Sequence, residues 1–186
     1  MSKLQRAQEE LGLAGAQFRL RLRLANLVCG LMPAYTCTTL RASVYRTLGM
    51  HLGEGVAFFS PITITGSGPN PYPRLSIGDD SMVGVGVLFN LEGTITIGKN
   101  VQVAQFVRIY TARHRMGTSE RRFTPAFTPE PVVIEDGVYV TTGSIILPGV
   151  TIGHGSVVSA NSVVNRDVPP NSLVSGVPAR VIKGLS

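Results

Sequence analysis

The sequence predicts an all-β solenoid of about five triangular coils, each of 18 residues, with a helical segment in front and one extruded loop. Three observations carry this expectation. Aliphatic residues recur every six positions at Ile134, Val140, Ile146, Ile152, Val158 and Val164. A row of small or β-branched residues follows each by four positions, at Val138, Ser144, Val150, Ser156, Ser162 and Val168. Glycines stand directly after residues of the first row at Gly53, Gly78, Gly84, Gly98 and Gly153, where a coil must turn a corner.

The rows extend toward the N-terminus. One set holds Leu52, Phe58 and Ile64 with Val56 and Ile62; the next holds Ile77, Val83 and Phe89 with Ser81 and Val87; a third holds Ile97, Val103 and Ile109 with Val101 and Val107. A period of six does not fit the helical repeat of about 3.6, and the segment is dense in Val, Ile, Thr and Gly, which favour strands and turns. Three short strands and three corners close one coil. Stacked coils pair each strand in parallel with its equivalent one coil away and bury a core that no single coil could build.

Residues 1–48 read as a helical cap and residues 49–186 as the solenoid. In the cap FRLRLRL alternates with period two, but ANLVCGLM and TTLRASVYRTLGM carry helical spacing, and Pro33 divides them into two short helices. Cys29 and Cys37 match no metal or redox spacing and read as buried reduced thiols.

Composition narrows the class. With 44% hydrophobic and 15% charged residues the 186-residue chain is no disordered tail, and two cysteines make no disulfide framework. No charge-free apolar run reaches the roughly 20 residues that cross a bilayer. The opening MSKLQRAQEE has no apolar run of a secretory leader, which points to a cytoplasmic chain. Seven Lys or Arg against Glu9 and Glu10 put +5 of the formal +6 in residues 1–48. No aromatic-interleaved basic stripe argues for nucleic acid; residues 18–48 offer either a cap on the first coil or a peripheral contact with the inner face of a membrane.

The repeat breaks in three places: the Gly/Pro loop GSGPNPYPR at 66–74, a two-residue slip between Phe89 and Ile97, and residues 112–131, an arginine-rich loop. Insertions leave a solenoid and often build its binding face. His114 stands where the coil gives way to the largest of them. His51 and His154 read as ordinary surface or packed side chains.

Repeats such as Ile97-Gly98-Lys99-Asn100-Val101, together with IYTARH, ILPGVTIGHGSVV and RDVPPNSLVSGVPARVIKG, resemble the hexapeptide-repeat acyltransferases. Within them the chain is similar to bacterial sugar O-acetyltransferases, above all those of colanic acid and other exopolysaccharide pathways. The resemblance covers Leu52 to Lys183. It implies a left-handed parallel β-helix, a homotrimer with active sites between subunits, acetyl-CoA as co-substrate, no metal, and a saccharide or glycan precursor as acceptor.

It also assigns roles. His114 matches the family's catalytic histidine, the base that takes the hydroxyl proton as the sugar oxygen attacks the thioester; imidazole, titrating ordinarily near 6.5, suits that task. Asn90 matches an asparagine on the acceptor side. Tyr139 stands where relatives carry Trp and would wall the acetyl pocket of the neighbouring subunit, and Arg115 departs from the usual Pro or Asp and is a candidate sugar or phosphate contact. Thr142 and Ala160 match positions whose backbone amides meet the pantetheine arm, and Arg166, Arg180 and Lys183 match cations beside the coenzyme phosphates. Two other readings are a non-catalytic β-helical scaffold and a zinc enzyme of the carbonic-anhydrase kind; the paired histidines of the latter are absent, since Ser119 stands five after His114.

Overall fold

A computed structural model describes residues 13–67 and 70–186, with side chains from Leu20 onward. The opening decapeptide, the first twelve residues of the expected cap, and Gly68 and Pro69 of the Gly/Pro loop lie outside the described residues.

Five coils stack as the six-residue beat requires. The first is β1 (His51–Leu52), β2 (Ala57–Phe58) and β3 (Thr63–Thr65). The second is β4 (Leu75–Ile77), β5 (Met82–Val83) and β6 (Leu88–Asn90), and the third is β7 (Ile95–Ile97), β8 (Gln102–Val103) and β9 (Arg108–Ile109). After an excursion through β10 (Ala112–Met116) and β11 (Phe123–Pro129) the chain returns. The fourth coil is β12 (Val132–Ile134), β13 (Tyr139–Val140) and β14 (Ile145–Ile146), and the fifth is β15 (Thr151–Ile152), β16 (Val157–Val158) and β17 (Val163–Val164). Finally β18 (Ser172–Gly176) adds to β16, and β19 (Ala179–Gly184) folds back antiparallel on it.

The result is a left-handed parallel β-helix with three faces. The first face runs β1-β4-β7-β12-β15, the second β2-β5-β8-β13-β16-β18-β19, and the third β3-β6-β9-β14-β17. Register follows the aliphatic row: Leu52 lies on Ile77, then Ile97, Ile134 and Ile152. Every residue of that row except the half-exposed Leu52 is buried, as is the row behind it. The buried serines of the second row are satisfied at the corners. Ser81 Oγ donates to the Gly98 carbonyl at 2.8 Å and accepts from Val101 N at 3.0 Å, and Ser156 Oγ donates to Pro169 O and accepts from Ser172 N.

Four expectations need correction. Val168 belongs to the aliphatic row, because it bridges Ile152 directly; the last corner is two residues shorter than the others. The glycines after row residues are required by crowding alone, since none has positive φ: a Cβ at Gly78 would stand 2.7 Å from the Gly98 carbonyl carbon, and one at Gly153 2.6 Å from Pro170 N. The left-handed backbone falls two residues on, at Gly55, Asp80, Gly86, Asn100 and Gly155. Cys37 is exposed, with φ 51° just ahead of the second helix, while Cys29 is buried and its thiol pushed up by desolvation. The first helix is not short.

That helix, α1 (Leu13–Gly30), takes in the alternating FRLRLRL segment, and α2 (Thr38–Arg46) follows. Period two lost because Leu22, Ala25 and Cys29 sit at helical spacing and reach one core with Phe58 and Ile62. Tyr45 ties the layers together: its hydroxyl donates to Asn26 Oδ1 at 2.7 Å and accepts from Ile62 N at 3.1 Å, while Asn26 Nδ2 donates to Ile62 O. Arg41 is fully buried, and its guanidinium donates to the carbonyls of Cys29, Met32, Pro33, Thr36 and Phe58. Several of these carbonyls close the C-terminal end of α1, where a cation is favoured. No described helix is long and apolar enough to cross a membrane.

Candidate active site

The extruded segment is a β-hairpin rather than an irregular loop. β10 and β11 pair antiparallel with Arg113 opposite Thr128 and His114 opposite Phe127, and a bulge puts Met116 opposite Phe123. The turn closes through Gly117 N on Arg122 O at 2.9 Å. Pro125 and Pro129 hid this strand in the sequence; a two-stranded arm has two open edges, where a residue without N–H is tolerated.

The hairpin leaves the edge between the third and first faces, and a clamp fixes its base. Arg113 Nε and Nη2 donate to the two carboxylate oxygens of Glu130 at 2.7 and 2.8 Å, and Nη2 also donates to Pro148 O on the fourth coil. The hydrogen bond from Arg113 holds the Glu130 carboxyl below its ordinary range. Sequence reasoning missed this pair, whose partners stand 17 positions apart across the arm.

His114 is exposed on this arm, its ring flanked by Phe123 and Phe127 with centroids 5.6 and 5.7 Å away. Nδ1 faces the Thr124 carbonyl oxygen at 3.4 Å. A carbonyl only accepts, so this contact favours the proton on Nδ1 and leaves the Nε2 lone pair outward. Thr124 is held in turn by its hydroxyl donating to Arg115 O at 2.8 Å. Arg115 occupies the bulge and is exposed.

Asn90 lies on the same edge, at the end of β6. Its Oδ1 accepts from Thr111 N at 3.1 Å and its Nδ2 donates to Thr65 Oγ1 at 3.2 Å, so it links three coils just before the hairpin departs. An amide carries two N–H donors, and one remains after the Thr65 contact. Arg166 is exposed on that edge too, in the corner after β17.

The other expected residues are elsewhere on the prism. Tyr139 projects from the second face, in register with Gln102 and Val157. Thr142 and Ala160 lie exposed one coil apart at the edge between the second and third faces. Thr142 Oγ1 meets Gln105 Oε1 at 3.1 Å one coil above. Among the described residues the N–H groups of Thr142 and Ala160 meet no backbone acceptor. Arg180 and Lys183 are exposed on β19, opposite Ser175 and Leu173, at the far end of the second face. Phe106, which the six-residue beat does not single out, stands at the edge between the second and third faces with φ 59° and is 55% exposed, its ring lying over Gly86.

The candidates therefore form two groups on different sides of one chain: Asn90, His114, Arg115 and Arg166 at the hairpin edge, Tyr139, Thr142, Ala160, Arg180 and Lys183 on the second face and its far edge. Nothing within one chain brings them together. The three histidines are also apart: His51 opens the first coil, His114 rides the hairpin, and His154 sits in a corner of the fifth coil with Nδ1 3.8 Å from Glu135 Oε2. Among the described residues no three His, Cys, Asp or Glu side chains are placed to hold a metal. A groove of about 430 Å³ beside Thr96, Ile134 and His154 lies on the first face, away from both groups.

No family model matches the chain. It is 35% identical over 144 residues to a putative colanic acid biosynthesis acetyltransferase of Escherichia coli, covering 77% of this chain and 74% of that one. It is 38% identical over 93 residues to the galactoside O-acetyltransferase of E. coli, 50% of this chain and 45% of the other. A putative acetyltransferase of Schizosaccharomyces pombe is 45% identical over 89 residues, 48% of this chain and 42% of that protein, so the chain spans about half the length of several curated relatives. Among solved structures, a hexapeptide-repeat acetyltransferase of Vibrio cholerae in complex with acetyl-CoA superposes with TM-score 0.77 and 32% identity over 92% of both chains. A galactoside acetyltransferase in complex with coenzyme A gives 0.76 and 26% identity over 90% of this chain and 80% of that one.

Proposed function

Because this chain belongs to the hexapeptide-repeat acetyltransferases, we propose that it transfers an acetyl group from acetyl-CoA to a hydroxyl of a saccharide or glycan precursor, with His114 as general base. The observation that carries this reading is the His114 imidazole, steered by the Thr124 carbonyl so that Nε2 faces outward from an arm clamped to the coil. In the reaction Nε2 takes the acceptor hydroxyl proton while the oxygen attacks the thioester carbonyl. The tetrahedral intermediate collapses with cleavage of the C–S bond, and the imidazolium returns its proton to the departing thiolate.

The site is completed between subunits. His114, Asn90, Arg115 and Arg166 of one chain face the acceptor and one flank of the coenzyme. Tyr139, the free amides of Thr142 and Ala160, and the cations Arg180 and Lys183 of the next chain line the acetyl, pantetheine and phosphate positions. Two groups on different sides of one prism are what a head-to-tail ring requires, and a cyclic trimer closes it. Acetyl-CoA as donor suits a cytoplasmic site of action.

The test is thioester consumption with a panel of sugars and sugar phosphates, wild type against His114→Ala. Such a base contributes about 10²–10⁴-fold, so a variant keeping more than about a tenth of wild-type turnover contradicts the assignment. Sedimentation of the wild type as a monomer at assay concentration contradicts the shared site.

A further inference from the structure

Helix α1 has two apolar faces, and the β-helix uses one. At about 3.6 residues per turn Leu22, Ala25, Asn26 and Cys29 share the side packed on the first coil and α2. Leu20, Leu24, Leu27, Val28 and Leu31 fall on the opposite side, between 46% and 80% exposed. Four large apolar side chains on the helix and Leu31 directly after its end form a patch of the kind that marks a binding surface.

The charges around that patch point to its occupant. Arg21 and Arg23, both exposed, project on either side of the leucine stripe. Arg21 is anchored by Nη2 on the Thr47 carbonyl at 3.3 Å and by its place over the Tyr72 ring, 5.7 Å from the centroid. Between Glu10 and Glu54 the chain has no acidic residue, and of its five arginines only Arg41 is buried among the described side chains. A second copy docked face to face on this patch would set guanidinium groups against guanidinium groups. An anionic bilayer complements both features, since leucines enter the acyl boundary while long arginine stems carry their charge up to the headgroups.

We propose that the outer face of α1 with the residue after its end, centred on Leu24, Leu27 and Leu31 and flanked by Arg21 and Arg23, docks this protein on an anionic lipid surface. The contact lies in the helices that cover the first coil, whereas the hairpin bearing His114 leaves after the third. The proposal does not depend on the reaction assigned above.

Vesicle co-sedimentation tests it, with phosphatidylcholine vesicles compared with vesicles containing phosphatidylglycerol. Wild type is expected to bind the anionic vesicles at least tenfold more tightly than the neutral ones at low salt, with most of that margin lost in high salt. Leu24→Glu/Leu27→Glu, at two sites more than half exposed, is expected to lose at least tenfold in binding with unchanged thermal unfolding. Leu31→Glu is the independent second variant. Absence of binding to anionic vesicles, or binding indifferent to the leucine substitutions, overturns the proposal. So does a leucine variant that changes the oligomeric state without lipid, which would assign the face to another copy of the chain.

Discussion

Arg113 grips Glu130 with both nitrogens of its fork, at 2.7 and 2.8 Å, at the point where the hairpin leaves the coil and where it re-enters. His114 is the next residue. The pair is open to solvent, so its value lies less in stability than in fixing the angle of the arm that carries the imidazole. Glu130→Gln keeps the shape and removes the charge. We expect turnover about 3- to 30-fold lower with little change in the melting temperature, as displacement of a catalytic group by a fraction of an ångström predicts. Unchanged steady-state kinetics would show that the arm holds its angle without the clamp.

The same pair has a pH signature. The Glu130 carboxyl is depressed below its ordinary value, first by the Arg113 hydrogen bond. A lowered acid pKa contributes order that is complete above the unfolded value, about 4.3, and lost as pH falls through the folded one. Amide exchange protection along β10 and β11 should therefore hold from neutrality to about pH 4.5 and decline below it in the wild type. In Glu130→Gln it should be weaker at neutral pH and lack that step.

Sequence periodicity exposed the coils because a solenoid core is local: each aliphatic residue of the row meets its equivalent one coil away, so burial is written as a beat. It placed the hairpin's root at His114 but not its form, because the Pro-bearing β11 lacks strand signals. It was blind to Arg41, whose partners are carbonyls that every residue possesses. The candidate site residues were named one by one from their likeness to a family, while their separation onto two sides of the prism needed coordinates. Phe106 carried no signal, since a positive φ at a bulky residue contradicts local preference.

Arg41 and Tyr45 are the joints between the helices and the first coil, which predicts a stability test. Arg41→Met removes every donor to five carbonyls, and we expect a loss of about 3 kcal/mol or more in urea unfolding. Tyr45→Phe strands Asn26 Oδ1 and Ile62 N and should cost about 1–3 kcal/mol. Each set has one partner on the first coil, Phe58 O for Arg41 and Ile62 N for Tyr45, and the others on the helical layer, so both substitutions loosen one interface and should add to less than their sum. Full additivity would mean that each joint acts alone.

Phe106 gives the sharpest backbone prediction. Its φ of 59° belongs to the left-handed region, where a residue with a Cβ carries a cost of about 1–2 kcal/mol. Gly86 leaves room for its ring, so the side chain recovers part of that cost by packing on the coil above. Phe106→Ala loses the ring and keeps the strain, whereas Phe106→Gly loses the ring and removes the strain at the expense of some unfolded-state entropy. Gly should accordingly be more stable than Ala by about 1 kcal/mol in chemical denaturation, and close to wild type. If Ala proves the more stable of the two, the left-handed corner is absent in solution, and the edge beside Thr142 would have to be redrawn with Phe106 turned away from Gly86.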